Sequence, residues 1–179
     1  QRVYHAYLDE MNLITILIPK EMQATGNKTF FLLDGETRLK LQCERQQDIE
    51  NRVKYECRLD SSIIPFGKLY EVCDELDNKT DLQIGAVIRT AAFDEHFYYN
   101  GDDLGVRFSK DSVTMKLWAP TATDVQVKLL FPSEQREETL PLKRGDRGVW
   151  TIELKGDFDS VFYTYLVCVN LIWNEAVDP

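Results

Sequence analysis

Histidine is nearly missing from this sequence: only His5 and His96 occur in 179 residues. That leaves little material for imidazole acid–base catalysis or for a histidine-rich metal centre. Cysteine is sparse as well, and Cys43, Cys57, Cys73 and Cys168 include no C-x-x-C pair. Zinc sites need closely spaced ligand pairs, so no metal is expected. Each cysteine lies in a strand-like run and reads as a small buried thiol, which fits a reducing, cytoplasmic compartment. The spacing leaves open a disulfide among the first three. Basic clusters are lacking too: 21 Lys and Arg face 30 Asp and Glu, a net charge of −9. Phosphate neutralisation requires clustered cations, so a nucleic-acid partner is excluded. The longest apolar run, Leu13 to Ile18, is six residues with Thr15 inside it, against the ~20 that a membrane-spanning helix needs. No membrane partner is expected. Gln1-Arg2-Val3 opens no apolar leader, but the first residue is not Met, so secretion from a trimmed precursor stays open. The closing Val177-Asp178-Pro179 has no polar tail, and the chain reads as a fragment of something longer.

What is present is hydrophobic material with period two. Aliphatic and aromatic residues make up 44% of the chain, with 9 Phe, 8 Tyr and 3 Trp, which excludes a disordered chain. Arg38-Leu39-Lys40-Leu41-Gln42-Cys43, Val113-Thr114-Met115-Lys116-Leu117 and Val125-Gln126-Val127-Lys128-Leu129 alternate strictly. Further strands are expected at 3–8, 13–18, 30–33, 53–59, 68–73, 148–154 and 162–169. Turn chemistry separates them at Thr25-Gly26-Asn27-Lys28, Asp34-Gly35, Asp77-Asn78-Lys79, Asn100-Gly101-Asp102 and 144–148. Glu44 to Asn51 is polar all round, lacks the apolar stripe of a helix, and is expected to be a loop. About ten such strands predict an all-β protein of two tandem β-sandwich modules, immunoglobulin-like in type. The expected division is 1–92, an aromatic linker over 93–105 where alternation lapses, and 106–179.

Catalytic templates fail. There is no G-x-S-x-G elbow, P-loop or H-E-x-x-H, and Gly101 and Gly105 sit in a turn with no following helix. The neighbouring acids Asp102/Asp103, Glu137/Glu138 and Asp157/Asp159 fall in turns or polar runs and read as solvated loops rather than a glycosidase pair. Asp74, Asp77 and Asp81 lack the ligand spacing of a calcium loop. No catalytic residue, metal or cofactor is expected within these residues.

The aromatics are the better resource, because a flat ring matches the apolar C–H face of a sugar. Trp173, flanked by Asn170, Asn174 and Glu175, sits in what reads as a polar turn. It fits either a stacking surface or a packing contact with a following domain. Trp150 alternates with Ile152 and Leu154 and reads as core. Trp118 falls out of phase just before Ala119-Pro120, which suggests a strand-end or interface role.

These pieces resemble a known family. Leu117-Trp118-Ala119-Pro120-Thr121-Ala122 with Val125-Gln126-Val127, then Gly148-Val149-Trp150, Tyr163-Thr164-Tyr165 and Asn174-Glu175-Ala176-Val177-Asp178-Pro179, are similar to family 48 carbohydrate-binding modules. The segment from Phe93 to Gly105 resembles the linker of type I pullulanases. Ala6 to Ile16 and Asp81 to Arg89 resemble the leading domain of Bacillus-type pullulanases, classed as a family 68 carbohydrate-binding module. The resemblance implies a parent enzyme that cleaves α-1,6 branch linkages, with its catalytic machinery in a barrel beyond Pro179. It further implies that this region binds α-glucan oligosaccharides and meets that barrel as a partner in the same chain. A purely structural role, orienting the barrel without touching sugar, is the alternative. Glycogen-binding relatives use two Trp and a Lys; Trp173 takes one Trp position, Leu166 stands at the Lys position, and no Trp occurs near Phe131-Pro132-Ser133. For the first module, Tyr7 and Phe30 are the aromatic candidates.

Overall fold

The computed structural model describes residues 2–22, 29–60 and 65–177. The expected turn at Thr25–Lys28 and the closing Asp178-Pro179 lie outside them. Two compact units emerge, one from the described residues up to Pro65 together with Leu69–His96, the other from Phe66–Lys68 and the residues from Phe97 onward.

The first unit contains β1 (His5–Glu10), β2 (Leu13–Pro19), β3 (Phe30–Asp34), β4 (Thr37–Lys40), β5 (Gln42–Ile49), β6 (Arg52–Arg58), β7 (Glu71–Asp74) and β8 (Lys79–Ile84). They form one sheet in the order β4-β3-β7-β8-β1-β2-β6-β5. Strand β8 serves both halves: Lys79 to Asp81 pair antiparallel with β7, and Leu82 to Ile84 pair parallel with β1. A strand shared in this way turns the corner of a folded sheet. Alternation sets the core. Ala6 and Leu8 face Ile16 and Ile14, which in turn face Tyr55 and Cys57, and all six are buried. The rings of Phe30 and Tyr55 meet edge to face at 5.0 Å.

Two expectations fail here for physical reasons. Residues 42–49 form neither helix nor loop but the edge strand β5, hydrogen-bonded to β6 and exposed along its whole length. With water on both faces, no apolar alternation marks it. Its second rung places Cys43 directly opposite Cys57, and the two form a disulfide, so these thiols are not free. Cysteine usage therefore carries no argument for a reducing compartment. Cys73 and Cys168 are free and buried. Asp74, buried, accepts hydrogen bonds from the Leu76 and Asn78 amides and from Asn78 Nδ2 at 2.9–3.0 Å, an Asx turn. Asp81 is held by Arg2 through two parallel hydrogen bonds of 2.5 and 2.9 Å.

Helix α1 (Ala91–Phe97) follows, where sequence alternation lapses and irregular chain was expected. Thr90 caps it, its hydroxyl accepting from the Phe93 amide at 3.1 Å.

The second unit contains β9 (Gly105–Phe108), β10 (Ser112–Trp118), β11 (Asp124–Phe131), β12 (Arg136–Pro141), β13 (Lys143–Arg144), β14 (Val149–Lys155), β15 (Phe162–Val169) and β16 (Ile172–Ala176). Two four-stranded sheets, β13-β14-β10-β9 and β12-β11-β15-β16, enclose a core of Val113, Met115, Val125, Val127, Leu129, Trp150 and Tyr165. The W-A-P segment is anchored by its neighbours. Trp150 Nε1 donates to the Ala119 carbonyl at 2.9 Å, and Trp118 Nε1 lies 3.0 Å from the carbonyls of both Phe97 and Arg147. Gly148 has φ +77° and presses on Pro120, where a Cβ would fall 2.5–2.6 Å from its carbons. Only glycine fits there. The fold is all-β, with strands alternating about two cores. Among the described residues no helix is long and apolar enough to cross a membrane.

Candidate functional site

In the second unit, Val125, Val127 and Leu129 of β11 face the core. Alternation turns the residues between them to the outer face, and register carries that face across the sheet. Trp173 is not in a turn but on β16, the edge strand, directly opposite Cys168, which is opposite Asp124. The next row on the same face is Glu175, Leu166 and Gln126, and the one after it places Thr164 beside Lys128. Trp173 is 46% exposed, so a large part of its ring is free to meet a ligand.

The polar groups beside it are tied together. Glu175 Oε1 accepts from Thr164 Oγ1 at 2.7 Å and from Lys128 Nζ at 2.9 Å. These two bonds hold the Glu175 carboxyl below its ordinary range, and the same contact raises the Lys128 ammonium. Glu175 is already a sequence neighbour of Trp173, whereas Lys128 and Gln126 escape sequence reading because only the cross-strand register brings them to its face.

Asn170 and Leu171 form the two-residue turn between β15 and β16, with φ of 54° and 67°. Both central residues of such a hairpin turn take positive φ, which asparagine tolerates and leucine adopts only under strain. The sequence expectation grouped Asn174 with Trp173, and the register separates them. Asn174 pairs with Val167 on the opposite face, so it cannot flank the ring.

In the first unit, Tyr7 lies on the outer face of β1, its ring stacked on that of His5 with centroids 6.1 Å apart and planes 9° from parallel. Its register partners are Gln83 on β8 and Thr15 on β2. Gln83 Oε1 and His5 Nδ1 are buried without a hydrogen-bond partner. Buried polar atoms are nearly always paired, and an unpaired acceptor costs about 1–3 kcal/mol. Beside them Asp9 Oδ1 accepts from the Ala86 amide at 2.9 Å, and a Cβ on Gly85 would fall 3.0 Å from Tyr7 Cβ. Phe30 does not join this face. It is 1% exposed and belongs to the core, where the hydrophobic gain of burying its ring keeps it from any ligand.

The paired acids do structural work. Lys116 Nζ, 2.7 Å away, and the Tyr99 hydroxyl hold the Asp103 carboxyl down at about 2. Glu138 accepts from Arg136 Nη1 at 2.7 Å.

Two families match in tandem: the pullulanase N1-terminal domain over residues 4–89, and carbohydrate-binding module 48, the isoamylase N-terminal domain, over residues 103–179. The pullulanase of Bacillus subtilis strain 168 is 40% identical over 178 residues, covering 99% of this chain. The chain belongs to the N-terminal module region of the pullulanase family. Chloroplastic pullulanase 1 of Arabidopsis thaliana is 32% identical over 117 residues, covering 62% of this chain and 11% of that protein. A crystal structure of pullulanase from Anoxybacillus sp. LM18-11 complexed with maltotriose matches 98% of this chain with a TM-score of 0.94 at 41% identity. Type I pullulanase of Bacillus subtilis, complexed with maltose, matches 99% with a TM-score of 0.92 at 40% identity. This pullulanase region spans about a quarter of the length of each bacterial relative, 24% of the Bacillus subtilis protein and 25% of both crystallised chains.

Proposed function

We propose that this region binds α-glucan oligosaccharides such as maltotriose, maltotetraose and segments of pullulan, starch or glycogen, on behalf of an enzyme that hydrolyses α-1,6 branch linkages. The nucleophile and general acid of that enzyme lie outside these residues, in a barrel that the two modules meet as parts of one chain. The observation that carries the reading is Trp173, half open on an outer sheet face beside Glu175, Lys128 and Gln126. A ring supplies dispersion against the C–H face of a glucosyl unit, and the ordered Glu175 carboxylate and Lys128 ammonium, with the Gln126 amide, supply bonds to its hydroxyls. Tyr7, on the outer face of β1, offers the first module a second contact.

A shallow face with one open ring encloses little area, so affinity falls between micromolar and millimolar, about −8 to −4 kcal/mol. Trp173→Ala is expected to weaken maltotriose binding about tenfold, the factor that ~1.4 kcal/mol represents, while the fold persists. Calorimetry of the 179-residue chain with maltotriose, maltotetraose and pullulan tests this. No heat at millimolar oligosaccharide ends the binding reading.

One observation favours a second reading, in which the modules orient and stabilise the barrel without touching sugar. Leu166 stands where glycogen-binding modules carry lysine, and Lys128, the nearest ammonium, is already engaged by Glu175. Under that reading Trp173→Ala changes stability of the whole enzyme and leaves its affinity for glucan unaltered.

A further inference from the structure

The β9–β10 turn and the β14–β15 connection of the second unit enclose a cleft of about 250 Å³ that the Trp173 face does not use. The two features lie on different rows of the sandwich. Trp173 shares its row with Cys168 and Asp124 at the start of β11, whereas the cleft is built from the chain that leads into Phe162 at the start of β15.

Its walls combine three kinds of chemistry. Phe108 and Phe158 both line it. Phe108 is 64% exposed, an unusual position for a phenylalanine at the end of a strand, while Phe158 is half-buried and its ring packs 6.4 Å from that of Phe131. Ser109 and Ser112 bring hydroxyls 2.5 Å apart on the same wall. Asp157, Asp159 and Lys110 supply two carboxylates and an ammonium at the rim.

The frame around these groups is fixed by backbone bonds. The Gly156 amide donates to the Asp111 carbonyl at 2.8 Å, tying the two loops together, and the Ser109 amide donates to the Ser112 carbonyl at 2.9 Å. Asp157 Oδ1 accepts from the Asp159 amide at 3.0 Å, leaving its second oxygen for other donors. An open aromatic ring, paired hydroxyls and mixed charges in one tied recess suit a neutral, polyhydroxylated ligand better than an anion or an apolar one. The volume falls below the ~300–1,000 Å³ of most small-molecule sites, which limits the occupant to about one ring.

We propose that this cleft is a second saccharide site that takes a single glucosyl unit at the end of an α-glucan chain. Phe108 stacks on the ring, and Asp157 and Asp159 accept hydrogen bonds from its hydroxyls. The proposal rests on the reading of this region as α-glucan binding. With Trp173 it would give one module two separated contacts for a long polysaccharide, and linked contacts raise overall affinity without new chemistry.

The test is a maltotriose titration of the ¹⁵N-labelled 179-residue chain, with amide shifts followed at residues 108–112 and 156–159 and separately at 166–175. The expected result is saturable movement of both groups, with Phe108→Ala weakening the cleft response about tenfold and leaving the Trp173 response in place. Asp159→Asn, on an exposed loop, gives a second variant with the fold untouched and should weaken the cleft response alone. Movement only at 166–175 overturns the cleft while the α-glucan reading stands. Movement only at the cleft upholds this site and removes Trp173 from the reading. Stillness in both groups at millimolar maltotriose ends both, and a cleft response indifferent to Phe108→Ala and Asp159→Asn overturns the assignment of its residues.

Discussion

The first module closes its core with a single folded sheet, the second with two separate ones, and the fastenings differ accordingly. In the first, β8 belongs to both halves, and covalent and ionic ties secure the ends: Cys43–Cys57 at the edge and Arg2–Asp81 on β8. In the second, no strand joins the sheets among the described residues, and they are held by core side chains contributed from both, such as Trp150 of one and Tyr165 of the other. The outer faces differ in the opposite sense. Around Tyr7 the ring is already stacked and the polar atoms lack partners, whereas around Trp173 the polar atoms are paired and the ring is open. Where packing holds a module together, its edge strand is free to carry an exposed ring, as β16 carries Trp173.

The sharpest way to break this comparison is to remove one of those core rings. Trp150→Ala should cost the second module ~3–5 kcal/mol, as buried tryptophan truncations do. Amide hydrogen exchange reads the two modules separately: protection should collapse at Val125 and Val127 and persist at Ile14, Ile16 and Tyr55. Equal losses in both would mean that the modules unfold as one unit.

Reducing the disulfide is the converse experiment. A cross-link closing a loop of about 15 residues restricts the unfolded chain by ~3 kcal/mol, so a phosphine reductant should lower the first module by about that amount. The second module, whose Cys168 is free, should keep its midpoint. A shift shared by both would remove the contrast between covalent and packed fastening.

Leu171→Gly has a smaller effect of opposite sign. Leucine at φ 67° carries left-handed strain that glycine lacks. The exchange should therefore raise the second module's stability by about 1 kcal/mol in denaturant titration. A fall would show that contacts of the Leu171 side chain outweigh the strain of its backbone.

The same positions explain what could be read from sequence. Strands β1, β6, β10 and β11 each have one buried and one wetter face, so Ala6/Leu8 or Val125/Val127/Leu129 stand out with period two. Strand β5 has two wet faces and shows nothing. Strand β16 was hidden because its turn is Asn170-Leu171 rather than a glycine pair, so Trp173 looked like a loop residue. Trp173 itself was legible, as a tryptophan among polar neighbours. Of its companions, Glu175 was legible by adjacency and Lys128 and Gln126 were not; adjacency also suggested Asn174, which alternation sends to the other face. Tyr7 and Phe30 illustrate the same limit: both are aromatic in apolar strands, and only the register shows that one faces outward and the other is core.

The smallest expected effect separates the paired polar groups of the Trp173 face from ordinary surface charge. Glu175 titrates below its ordinary range because Thr164 and Lys128 bond its ionised form. A carboxyl depressed by folding adds stability above its unfolded pKa of ~4.3 and loses it as pH falls through the lower folded value. Asp103, held at about 2 by Lys116 and Tyr99, keeps its contribution to more acid pH than an unperturbed carboxyl of ~3.9 would. The second module should therefore weaken on the acid side of neutrality, and Glu175→Gln should flatten the part of the curve nearest pH 4 while leaving the part nearer 2. Thermal midpoints across pH 2–6 for the two proteins read this directly. A Glu175→Gln curve parallel to the original throughout would mean that Lys128 and Thr164 do not order the carboxylate in solution. Trp173 would then stand alone on its face, without the preorganised hydroxyl partners on which the proposed sugar-binding reading depends.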